Sequence, residues 1–170
     1  ARVDAQPITQ QAYLKPAAVG STQAVDLFGD AVAVSGDTAV VGAWYEDSSS
    51  TGVNSTPNEG APDAGAAYVY VRSGGGWTQQ AYLKPAAVGA TQEGDNFGFS
   101  VAISGDTIAI GAWHEDGSAT GVNGAPDEGA GNSGAVYVFT RSAGVWTQQA
   151  YLKPAAVGPS QINDQCGFSV

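Results

Sequence analysis

The stretch Thr-Gln-Gln-Ala-Tyr-Leu-Lys-Pro-Ala-Ala-Val-Gly stands at residues 9–20, 78–89 and 147–158, one copy every 69 residues. Residues 9–77 align with 78–146 without a gap and agree at 45 of 69 positions. A period this long, held without insertion, marks a modular repeat whose units bury surface against their neighbours. The chain divides into repeats 9–77 and 78–146 and an incomplete 147–170, about two and a half units in one domain over 1–170. It stops at Gly167-Phe168-Ser169-Val170, the counterpart of Gly98-Phe99-Ser100-Val101. The expectation is a piece of a longer protein, or a unit completed by other copies of itself.

The second repeat shows the pattern most clearly. Phe97 to Ile103 reads as a strand ended by Ser104-Gly105-Asp106, and Thr107 to Trp113 reads as its hairpin partner. Short apolar runs joined through Gly-Asp are a hairpin signal, because glycine accepts the positive φ of a tight turn. A polar loop runs from His114 to about Ser133, then Gly134 to Thr140 forms a third strand and Val145 to Leu152 a fourth, stopped by Pro154. No segment carries apolar residues at helical spacing, so the chain is all-β with four antiparallel strands per repeat. The first three strands are apolar on both faces, which places them inside stacked sheets. Four-stranded sheets stacked around an axis are the blades of a β-propeller. A β-solenoid would have shorter repeats, and a plain sandwich a cleaner alternation.

Phe97-Gly98-Phe99-Ser100-Val101-Ala102, Gly111-Ala112-Trp113 and Ser133-Gly134-Ala135-Val136-Tyr137-Val138-Phe139 resemble the FG-GAP repeat of integrin α-subunit propellers, in its bacterial-type form. Phe28-Gly29, Gly42-Ala43-Trp44 and Gly65-Ala66-Ala67-Tyr68-Val69-Tyr70 repeat the match. The resemblance implies a seven-bladed propeller, extracellular placement and work in adhesion or ligand binding. Two departures stand out. Trp44 and Trp113 replace the family's proline, and the integrin-type Asp-x-Asp-x-Asp-Gly calcium hairpin is absent. Ser35-Gly36-Asp37-Thr38 and Ser104-Gly105-Asp106-Thr107 are too short to wrap a cation, and Asp37 and Asp106 read as turn residues.

Candidate ligands concentrate in the long loop. One copy holds Glu46, Asp47, Asn54, Asn58, Glu59 and Asp63; the other holds Glu115, Asp116, Asn123, Asp127, Glu128 and Asn132 at the same offsets. Carboxylates and Asn carbonyls are the hard donors that Ca²⁺ takes six to eight at a time. A long loop inside a compact repeat also invites a function. The alternative is a solvated acidic loop that keeps the protein soluble. Asn54-Ser55-Thr56 is an N-glycosylation acceptor, whereas the matching Asn123-Gly124-Ala125 is not.

The remaining chemistry is sparse. His114 is the one histidine and Tyr45 replaces it in the other copy, so neither a histidine-based zinc site nor a nucleophilic triad can be assembled. Cys166, in the slot of Phe28 and Phe97, reads as a buried residue or as an intermolecular thiol. Trp77 and Trp146 on the fourth strand read as packing between blades, or as stacking surfaces for a sugar or partner. Sixteen acidic against six basic residues give a net charge of −10, which excludes nucleic acid and an anionic membrane surface as natural partners. No run of 18 apolar residues exists, so membrane insertion is not expected.

The sequence therefore points to a secreted or cell-surface, non-enzymatic adhesion or scaffold module. Its expected partners are other copies of itself or the remaining blades of a longer chain, in a ring or a fibre, together with an extracellular protein or glycan ligand. The alternatives are a calcium-dependent ligand- or carbohydrate-binding propeller and an accessory domain of a secreted hydrolase.

Overall fold

The computed structural model describes residues 9–17, 24–86, 89, 91–155 and 160–170. Strands β1 (Val32–Ser35), β2 (Thr38–Ala43), β3 (Ala66–Ser73) and β4 (Gly76–Leu83) form one antiparallel sheet in chain order. Strands β5 (Phe97–Ser104), β6 (Thr107–Ala112), β7 (Ala135–Ser142) and β8 (Val145–Leu152) form a second of identical topology. Both are antiparallel meanders, with short turns joining the first to the second strand and the third to the fourth, and the long loop joining the second to the third. The turn acids Asp37 and Asp106 also pair with Arg72 and Arg141 on the third strands, at 2.6 and 2.7 Å.

Strand alternation gives each sheet two apolar faces. On the first, Val40, Ala67, Val69, Ala81 and Leu83 point one way and enter a core shared with Phe97, Ile108, Ile110, Tyr137, Phe139 and Trp146 of the second. Val41, Ala43, Ala66, Tyr68, Tyr70 and Tyr82 point the other way and are covered by Leu14, Phe28 and Trp77. The main core thus lies between blades rather than within one, as expected of a repeat that cannot bury its faces alone.

The backbones approach closely where they stack. The Phe97 N–H donates to the Ala64 carbonyl at 3.0 Å, and the Cys166 N–H donates to the Ser133 carbonyl at 2.9 Å. Gly98 adopts φ +94°, and a Cβ there would fall on the Ala66 carbonyl oxygen. These contacts explain a difference between the two first strands. β5 begins at Phe97, but β1 begins only at Val32, although Phe28-Gly29 matches Phe97-Gly98 in sequence. Phe97 is held by the Ala64 carbonyl just before β3, and Phe28 has no preceding sheet against it among the described residues.

Candidate functional site

The long loops do not hang free. Gly52 and Asn54 run back along the outer edge of β4: the Gly52 N–H donates to the Pro85 carbonyl at 2.9 Å, and the Asn54 N–H to the Tyr82 carbonyl at 2.8 Å. The Asn54 side-chain oxygen accepts the Tyr82 N–H in return, at 2.9 Å. Gly121 and Asn123 do the same against Pro154 and Tyr151. Asn54 and Asn123 sit at φ +56°, a left-handed position that asparagine tolerates. The loop therefore covers part of an otherwise unpaired outer edge. Asn123 makes the same bonds outside any sequon, so this role suffices to explain an asparagine at 54.

Most of the other loop candidates serve local geometry. Asp47 Oδ1 accepts the Asp63 N–H at 2.9 Å, and Asp116 Oδ1 accepts the Asn132 N–H at 2.6 Å. Asn58 Oδ1 accepts the Ser49 and Gly60 N–H groups. Asp127 accepts the Ser118 and Gly129 N–H groups and the Ser118 hydroxyl, and these bonds hold its carboxyl below the usual range. Glu128 accepts the Thr91 N–H at 3.3 Å, and Glu59 lies close enough to raise the pKa of Asp26. Asp63 and Asn132 hold left-handed corners, and their carbonyls accept the N–H groups of Asn96 and Gln165 from the following segment. Among the described residues no group of three or more His, Cys, Asp or Glu is placed to hold a metal ion.

Glu46 and Glu115 are placed apart from the other loop acids, inside the blade. Glu115 Oε1 accepts the Tyr151 hydroxyl at 2.7 Å, and Glu115 Oε2 meets Lys153 Nζ at 2.9 Å. Lys153 also donates to the Ser133 hydroxyl. The first blade repeats the arrangement, with Tyr82 on Glu46 Oε1 at 2.9 Å and Lys84 at 3.4 Å from Glu46 Oε2 and 2.6 Å from the Gly65 carbonyl. The lysine side chains are fully buried and the glutamates nearly so. This Glu–Tyr–Lys lock joins the loop to the outer strand across 38 residues of sequence. A signal for it was present: Glu46, Tyr82 and Lys84 are unchanged at 115, 151 and 153, inside a unit that varies at about a third of its positions.

A second acid is buried as well. Asp95 is buried, and burial reinforced by Glu115, Glu128 and Asp116 raises its pKa to about 8; its counterpart Asp26 rises to about 6 for the same leading reason. Burial also lowers Lys84 to about 8. An Asp whose native pKa lies above its unfolded value of about 3.9 favours the fold most at low pH, and that contribution is lost as pH rises through about 8. Lys84, depressed from about 10.4, contributes stability that returns between about 8 and 10.4. Stability should therefore pass through a minimum near pH 8, with melting temperature rising by several degrees toward pH 5. Asp95→Asn should flatten the acid-side slope; thermal melts from pH 5 to 10 that show no minimum for the native protein would refute the assignment.

The remaining candidates fall into place around this frame. Trp146 is buried between the sheets and donates its indole N–H to Gln80 of the first sheet at 2.8 Å, while Trp77 packs half-buried against the tyrosine face. Trp44, Phe99, Trp113 and Phe168 form a run of aromatic contacts across consecutive repeats, with His114 stacked on Trp113 at 3.5 Å. Cys166 is a half-buried free thiol in the phenylalanine slot, its pKa raised by burial.

A search of curated proteins gave no match. A family model described as FG-GAP repeat matches residues 9–70 and 77–139, most of the chain. Each matched stretch opens on an outer-strand segment and runs on through the first two strands of the next sheet into its third. With the Phe-Gly pair and the Gly-Ala-Trp run recurring at the same places in both, the chain belongs to the FG-GAP repeat family.

Proposed function

We propose that the chain is a non-enzymatic binding and scaffold module of an extracellular or cell-surface protein, extended through its sheet faces by further blades of the same kind. A comparison of equivalent positions carries this reading. Val101 and Ile103 on β5 pack into the core between the sheets, whereas Val32 and Val34 at the same places on β1 are 57% and 61% exposed. The same strand type is covered where a sheet precedes it and bare where none does. At the opposite end Val122 is 67% exposed, while its counterpart Val53 packs into the core. Both faces are thus built for stacking, and both have apolar surface to bury. The non-enzymatic reading is supported by Glu46 with Tyr82 and Lys84, and Glu115 with Tyr151 and Lys153, which bond to one another inside the blades rather than converging on a cleft.

Light scattering over a concentration series tests the stacking. The native chain of 17.1 kDa should form larger species as concentration rises, and Val32→Lys with Val34→Lys should return it to monomer. A native protein that stays monomeric throughout would sink the proposal.

A further inference from the structure

Residues 9–17 carry the sequence of the outer strands, and they lie on the first sheet as β4 lies on the second. Arg141 Nη1 donates to Gln80 Oε1 at 3.1 Å, and Arg72 Nη1 donates to Gln11 Oε1 at 3.2 Å. The Ala86 N–H donates to Gln148 Oε1 at 2.8 Å, and the Ala17 N–H donates to Gln79 Oε1 at 2.7 Å. Leu83 enters the core between the sheets, and its counterpart Leu14 packs on the tyrosine face of the first sheet. The interface within the chain is therefore continued beyond the first sheet by a segment of outer-strand sequence.

That segment's inward chemistry is unmet. Tyr82 is buried and bonded to Glu46, while Tyr13, its counterpart, is 77% exposed. Lys84 and Lys153 are buried against glutamates, while Lys15 is exposed and only rests near the rings of Tyr13 and Phe28, at 5.9 and 6.0 Å. Among the described residues no carboxylate pairs with Lys15. The identical residues are thus seen twice with their acid and once without it.

We propose that residues 9–17 are the outer strand of a further blade, and that their partner is a three-stranded sheet of this repeat type, lacking its own outer strand and offering a glutamate from its long loop to Tyr13 and Lys15. This rests on the stacking reading above and adds to it the chemistry of the partner. A second copy stacked on this face does not satisfy Lys15, because its Glu46 and Glu115 already hold Lys84 and Lys153.

The test extends the full chain by placing a second copy of residues 24–77 directly before Thr9, the junction that Trp77 and Thr78 make natively. Acetylation of each lysine by an amine-reactive ester, read by mass spectrometry, reports the outcome. In the native chain Lys15 should react fast and Lys84 and Lys153 slowly. In the extended chain Lys15 should slow by about tenfold or more, toward the rates of Lys84 and Lys153. Glu46→Gln in the added copy alone should return much of that reactivity. Unchanged Lys15 reactivity in the extended chain, whether or not the added segment folds, overturns the proposal. So does protection of Lys15 in the native chain that grows with concentration, since a second copy would then be the occupant. Self-association without Lys15 protection leaves the stacking reading standing, so the two proposals fail separately.

Discussion

Glu115→Ala should destabilise the protein by about 3–5 kcal/mol, because it leaves Lys153 buried without its carboxylate and Tyr151 without its acceptor. Urea denaturation followed by tryptophan fluorescence would measure the loss. The pair is not expected to be strongly stabilising in itself, since desolvating both ions offsets most of their attraction. Replacing both partners with apolar residues, Glu115→Leu with Lys153→Met, should therefore recover most of the lost stability. If the double variant is as unstable as the single one, the lock contributes through its whole hydrogen-bond network, including the Ser133 hydroxyl, rather than through one uncompensated charge. A single variant that loses less than about 1 kcal/mol would show that water reaches the site and that the burial described above does not hold.

The stacking of the sheets predicts a second large effect. Gly98 and Gly29 occupy the same place in successive repeats, at φ +94° and +99°. Alanine is strained at both, by about 1–2 kcal/mol. Only at Gly98 would the new methyl meet a neighbouring backbone, the Ala66 carbonyl of the first sheet; at Gly29 there is open space. Gly98→Ala should therefore cost at least about 2 kcal/mol more than Gly29→Ala, as overpacking against rigid backbone usually does. Differential scanning calorimetry of the two variants isolates the inter-sheet contact, because the conformational penalty is shared. Equal losses would mean that the sheets separate to accommodate the methyl.

The comparison of sequence with structure divides along the same physical line. The strands of the second repeat were legible to within two residues, because Phe97–Ser104, Thr107–Ala112 and Val145–Leu152 are apolar or alternating runs bounded by Gly-Asp turns and a proline. These are local signals. The late start of β1 was not legible, because whether Phe28 joins a strand depends on a neighbouring sheet and not on its own sequence. The loop was the larger gap. Its acids, read by composition, suggested a cation or a solvated surface, and no local rule shows that Glu46 leaves the others to meet Lys84 across 38 residues. Nor does composition separate Asp127, which caps backbone N–H groups, from a free carboxylate. What could have exposed the lock is the repeat itself: a glutamate in a variable loop and a Tyr-Leu-Lys-Pro strand end, both unchanged between copies, mark positions bound to each other.

The threefold occurrence of one outer-strand sequence carries a consequence for how the molecule is made. During synthesis or refolding, each nascent sheet meets several chemically indistinguishable candidates for its last edge, and the correct one is selected only by its short tether through the preceding turn. Mispaired edges are a hazard characteristic of repeat proteins. The brevity of the Gly74-Gly75 and Ala143-Gly144 connections is then a kinetic safeguard, raising the local concentration of the proper edge above that of its duplicates.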